Sequence, residues 1–127
     1  MAERQISKGL KYTFLVHGIL GLKVGLGDLL FPTMLESFYG APVLDPGLYR
    51  VVGVAILAFT ASSLLAYRET AWDRVKIVVQ MEIVWTILAA VVIVALVFLE
   101  GRPVMELGNA LVLGGFAVAF CYYYVRR

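Results

Sequence analysis

The stretch VKIVVQMEIVWTILAAVVIVALVFL, residues 75–99, decides the fold class, because only Lys76 and Glu82 carry charge within it. A bilayer core about 30 Å thick takes about 20 mostly apolar residues wound at about 1.5 Å each. Inside lipid no water satisfies the backbone amides, so such a run must be a helix. This one is long enough to tilt or to project past the hydrocarbon. Working outward, the tight turn EGRPVM leads into a second such run at about 104–125. Upstream, LDPG opens another at about 48–67, and a further one at about 12–31 stops at Pro32. The whole chain is 61% hydrophobic and 16% charged, with a mean hydropathy of +0.88. A soluble domain averages about 45–50% apolar and about 25% charged, so there is too little polar surface here to coat a water-soluble globule. The expected fold class is all-α: a polytopic membrane protein, residues 1–127 forming a single antiparallel bundle of four transmembrane helices.

Charge distribution predicts the orientation. Arg4, Lys8, Lys11, Arg68, Arg74, Lys76, Arg126 and Arg127 fall at one end of such a bundle, while Arg50 and Arg102 fall at the other. The positive-inside rule then places both termini in the cytoplasm, and the expected location is a prokaryotic plasma membrane. Tyr67, Trp72 and Tyr122–Tyr124 sit where an inner aromatic belt belongs. The basic start MAERQISKGLKYTF precedes a long apolar run with no A-x-A-like site, which reads as an uncleaved first span.

Several chemistries lack their residues. One cysteine, Cys121, and one histidine, His17, leave no intrachain disulfide and no Cys/His metal cluster; Cys121 near the inner face is a palmitoylation candidate. No phosphate loop, HExxH or dinucleotide fingerprint occurs, and Ser62 and Ser63 lie far along the chain from the only histidine. Catalytic residues, a metal and a cofactor are therefore not predicted; a haem would lack its second histidine. The cationic residues are explained by topology, so no nucleic acid partner is expected.

Ionisable groups inside spans are costly and are functional candidates by default. His17 lies roughly 9 Å beyond Lys11 and Glu82 roughly 9 Å beyond Lys76, at 1.5 Å per residue, so the two share a depth on the first and third spans. They form either a structural interhelical bond or a proton-handling or ligand site, with Gln80 and Thr86 near enough to join them. Lys23, roughly 18 Å from Lys11, belongs to the outer half with Asp28, Arg50, Glu106 and Asn109. There it either snorkels outward or binds a buried anion. Asp28 and Arg50 are expected to pair across helices, with Glu106 a further ion-pair candidate and Asn109 a turn beyond it on the same face. His17, Gly21, Val24 and Asp28 fall in one helical stripe beside Gly18 and Gly25, with Lys23 on another face. Small residues let backbones approach, so Gly18, Gly21 and Gly25 predict a helix-packing face, and Gly108, Gly115 and Ala119 a second one.

The segment FPTMLESFYGAPVLDPGLYRVVGVAILAF, residues 31–59, resembles the small DoxX-like four-helix membrane proteins. The shared features are a greasy helix ending at Pro32, the Tyr39-Gly40 turn, Asp45, then Arg50 and Gly53 opening a small-residue helix that closes on Tyr67-Arg68. The resemblance covers the first half of the chain. It implies a four-helix bundle, with some relatives associated with membrane redox systems or with assembly of partner proteins, and it carries over no catalytic residue. Two functions then compete. One is a non-enzymatic membrane module that binds a partner membrane protein or a lipid-like ligand. The other is an oligomeric, proton-linked small-solute transporter or channel, since so few helices enclose a pathway only as a homo-oligomer. Catalysis on a membrane-soluble substrate ranks third.

Overall fold

A computed structural model describes residues 3–40 and 42–126. It contains α1 (Lys8–Leu30), a single 3-10 turn at Pro32–Met34, α2 (Leu35–Tyr39), α3 (Pro46–Arg68), α4 (Trp72–Glu100) and α5 (Glu106–Val125). The four long helices are all apolar and long enough to cross a membrane, which makes the chain a small, all-α integral membrane protein. Each boundary has a local cause. Ser7 Oγ accepts from Leu10 N to cap α1, so the helix starts a turn earlier than hydropathy predicts, inside the basic segment. Pro32 cannot donate to the ladder and ends α1. Asp45 caps α3, accepting from Leu48 N, with Pro46 in the first turn. α2 and α4 close on Gly40 (φ 72°) and Gly101 (φ 67°), left-handed positions that favour glycine. The 3-10 turn and α2 fill a loop that hydropathy leaves unassigned, and Glu36 Oε1 accepts from Val43 N to tie that loop together.

The bundle is two helical hairpins, α1 with α3 and α4 with α5, packed side by side. Lipid tails are as apolar as leucine, so close van der Waals packing must hold helices together. In the first hairpin glycine supplies it. A Cβ built on Gly18 would fall 2.5 Å from Leu64, and one on Gly25 would fall 2.8 Å from Leu57. Gly21 packs against Thr60 Oγ1, and a Cβ on Gly53 would lie 2.8 Å from the Gly25 carbonyl oxygen, backbone against backbone. The second glycine stripe does otherwise. Nothing lies within 4 Å of a Cβ placed on Gly108 or Gly115, so the expectation of a packing face on α5 is corrected. Gly115 and Ala119 instead line an open groove shared with α1.

The hairpins join at the end of the bundle that carries both termini, called the basal end below. Leu10, Phe14, Ala66, Trp72, Val75, Val79 and Phe120 form one buried cluster there. The N-terminal segment clasps the α3–α4 turn from outside: Ile6 N donates to Thr70 O, and Trp72 N to Arg4 O. At the opposite, loop end the hairpins meet through polar contacts. Asn109 Nδ2 donates to Tyr39 Oη, and Arg102, which donates to Glu106 Oε1, lies near Tyr49. Large apolar side chains such as Leu99, Leu111 and Val118 cover the outer faces, as a lipid solvent requires.

Candidate functional site

Above the basal core, three helices each turn one polar side chain inward. His17 comes from α1, Ser63 from α3 and Glu82 from α4, and all three are buried. Ser63 Oγ lies 2.9 Å from His17 Nδ1 and donates to Glu82 Oε1 at 2.8 Å. The ring closes where His17 Nε2 approaches Glu82 Oε2 at 3.4 Å. The fourth helix supplies aromatic walls: the imidazole stands edge-on to Phe116 and Phe120, centroids 4.8 and 5.7 Å away. Thr86, a turn along α4, donates its hydroxyl to the Glu82 carbonyl and is itself buried. Every helix of the bundle therefore touches this cluster.

Hydrogen accounting limits what the cluster can do. With Ser63 donating to Glu82, His17 Nδ1 must carry a hydrogen towards Ser63. The facing Nε2 and Oε2 would then set lone pair against lone pair unless one proton lies between them. That proton sits either on the carboxyl, leaving both groups neutral, or on the imidazole, leaving an ion pair; in both cases the ring is neutral overall. The 3.4 Å approach is too long for a strong hydrogen bond, and Glu82 Oε2 is a buried oxygen with no hydrogen-bond partner among the described residues. Ser63 is fully buried with its hydroxyl engaged on both sides, so the ring has the composition of a hydrolytic triad without the access one needs.

The remaining candidates lie elsewhere. Gln80 is exposed and donates to Tyr124 Oη at 3.0 Å, so it does not join His17 and Glu82. Asp28 is buried against Gly53, whereas Arg50 is exposed. Among the described residues the ion pairs are His17–Glu82, Arg74–Glu69 and Arg102–Glu106, so the expected Asp28–Arg50 pair is corrected. Asp28 lies level with Gly53, 3.0 Å from its Cβ position, and Arg50, a turn nearer the loop end, extends outward. Glu106 pairs with Arg102 four residues before it, at 2.6 Å, a local contact at the start of α5 and not the interhelical one expected. That hydrogen bond is the main cause holding the Arg102 guanidinium above its ordinary pKa. Asn109 bonds Tyr39 and not Glu106. Lys23 is exposed and has no ion-pair partner among the described residues.

Two concave surfaces lie along the line where α1 faces α5. The first is an open apolar groove of about 440 Å³, walled by Tyr12, Val16 and Leu20 on α1 and by Val112, Gly115 and Ala119 on α5. Phe116 forms part of its floor and separates it from His17. The second, about 250 Å³, is a basal recess walled by Arg4, Ser7, Trp72, Tyr122, Tyr123 and Arg126. Between them Tyr123 packs its hydroxyl onto Gly9.

Comparison with protein-family models, with curated proteins and with solved structures gives no match to this chain. The functional reading therefore stands on the residues themselves.

Proposed function

We propose that this integral membrane protein is a non-enzymatic module that holds a lipid-like ligand along the α1–α5 line, with the buried His17–Ser63–Glu82 ring fastening the bundle behind it. The carrying observation is the groove itself: Gly115 and Ala119 of α5 face Tyr12, Val16 and Leu20 of α1 across it, with nothing within 4 Å of the Gly115 Cβ position. In lipid an open small-residue face is filled either by an acyl chain or by another helix. A partner membrane protein or a second copy of the chain is the competing occupant. The DoxX-like resemblance around Pro32, Tyr39-Gly40 and Arg50 implies a module of the same size and kind. The excess of arginine and lysine at the basal end supports a cytoplasmic position for both termini.

The test is native mass spectrometry of protein released from a mild detergent. The wild type retains adducts of lipid mass, and Gly115→Leu, which fills the groove from its open floor, loses most of them. A wild type free of adducts, or a Gly115→Leu variant that keeps them all, overturns the reading. A dimer in place of adducts identifies a second copy as the occupant instead.

One observation favours a second reading, proton-linked transport by an oligomer. Glu82 Oε2 is buried without a hydrogen-bond partner among the described residues, the kind of intramembrane carboxyl that relays protons. Under this reading Glu82→Gln abolishes pH-dependent flux in proteoliposomes and leaves the fold intact. Unchanged flux in the variant, or no flux in the wild type across a panel of solutes, removes it.

A further inference from the structure

The basal recess and the apolar groove lie along one face of α5, on either side of the Tyr123–Gly9 contact. Along α5 and its C-cap, Gly115, Ala119, Tyr122 and Arg126 follow one another at spacings of four, three and four, so they share a face. The first two wall the groove and the last two wall the recess. On α1 the facing stripe is Tyr12, Val16 and Leu20, about 12 Å of apolar wall at 1.5 Å per residue. We infer that this seam seats one anionic phospholipid, with its phosphate in the recess walled by Arg4 and Arg126 and an acyl chain in the groove above. The inference rests on the lipid-holding reading and adds to it the headgroup class and the residues that select it.

Charge complementarity carries the choice of occupant. Arg4 and Arg126 both line the recess, and among the described residues neither has an ion-pair partner. Among the described residues no carboxylate lines it. Guanidinium groups match phosphate oxygens through paired N–H donors, and Ser7 adds a hydroxyl. Arg4 is held through its carbonyl, which accepts from Trp72 N at 2.7 Å, and the Arg126 guanidinium lies over the Tyr122 ring, 5.2 Å from its centroid. Tyrosine and tryptophan in such a wall present an apolar body and a polar tip, the chemistry of the headgroup level. A second copy docked in parallel along this seam would bring the same arginines together, which like charge opposes. A free phosphate would leave the groove unused.

The experiment places the purified chain in nanodiscs of equal zwitterionic and anionic phospholipid and counts retained lipids by native mass spectrometry after release. The wild type retains one anionic lipid in preference to the zwitterionic one. Arg4→Gln and Arg126→Gln each reduce that preference about fivefold, the equivalent of about 1 kcal/mol per basic residue at an anionic surface. Lys76→Gln, which removes a basal charge outside the recess, leaves it unchanged. Far-UV circular dichroism of each variant verifies the helical fold. Retention of lipid with no headgroup preference, or a preference that survives both arginine substitutions, overturns the inference and leaves the lipid-holding reading standing. Failure to retain any lipid overturns both, as does a dimer whose second copy fills the seam.

Discussion

Ser63→Ala removes one oxygen and breaks two contacts at once, those to His17 Nδ1 at 2.9 Å and to Glu82 Oε1 at 2.8 Å. Interhelical hydrogen bonds in membranes average about 0.6 kcal/mol and reach about 1.7. Two of them set the expected loss at about 1.2 kcal/mol, with an upper bound of about 3.4. The loss should lie above the average, because the partners left behind are buried with no water to replace the hydroxyl, and an orphaned polar group costs about 1–3 kcal/mol. Reversible unfolding in bicelles, titrated with a denaturing detergent, reads this directly. Ser62→Ala is the control one residue away: its hydroxyl bonds only the Phe59 carbonyl of its own helix, so that variant should change stability by less than about 0.5 kcal/mol. A double-mutant cycle of Ser63→Ala with Glu82→Gln should give a coupling of at least about 0.5 kcal/mol. A Ser63→Ala variant as stable as Ser62→Ala, with no coupling to position 82, would refute the closed ring.

Other outcomes follow from the same packing. Gly53→Ala should destabilise by about 1–3 kcal/mol through overpacking, since its Cβ meets the Gly25 carbonyl oxygen at 2.8 Å; Gly108→Ala, facing open space, should be neutral or stabilising in the same titration. Lys23→Leu should leave folding stability unchanged while improving membrane insertion in a translocation assay, because the exposed lysine pairs with nothing among the described residues; a loss of stability would reveal a partner. Arg74→Gln should shift stability by less than about 1 kcal/mol, as its 3.3 Å pair with Glu69 is largely exposed. Tyr39→Phe should raise amide exchange over residues 35–39 and spare α5, because it severs the Asn109 bond that ties the loop to the bundle.

The architecture is legible because hydropathy and length report directly on a lipid solvent, and the ends of the spans are marked by Pro32, Asp45, Gly101 and their caps. Depth counting from Lys11 and Lys76 brings His17 and Glu82 to one level, and in the fold they lie 3.4 Å apart. Ser63 is a different matter. Helix-borne serines commonly satisfy themselves on their own backbone, as Ser62 does, and composition does not say which of two adjacent hydroxyls turns inward. The two glycine stripes look alike in sequence, yet one meets α3 and the other faces a groove; small residues permit an approach without dictating it. Span ends read from hydropathy bring Asp28 and Arg50 near one level, but the residue of α3 that meets Asp28 is Gly53, a turn deeper than Arg50. The basal recess depends on the N-terminal segment folding back onto Thr70 and Trp72, a main-chain pairing with no side-chain signature.

An experimental structure determined in a lipid mesophase containing anionic phospholipid tests the central claim most directly. The predicted result is elongated non-protein density along the α1–α5 seam, its polar end in the recess beside Arg4 and Arg126, its chain over Gly115, and a dry His17–Ser63–Glu82 ring behind Phe116. A groove closed over Gly115 by direct contact with Val16 and Leu20, or occupied by a helix of another chain, would contradict it.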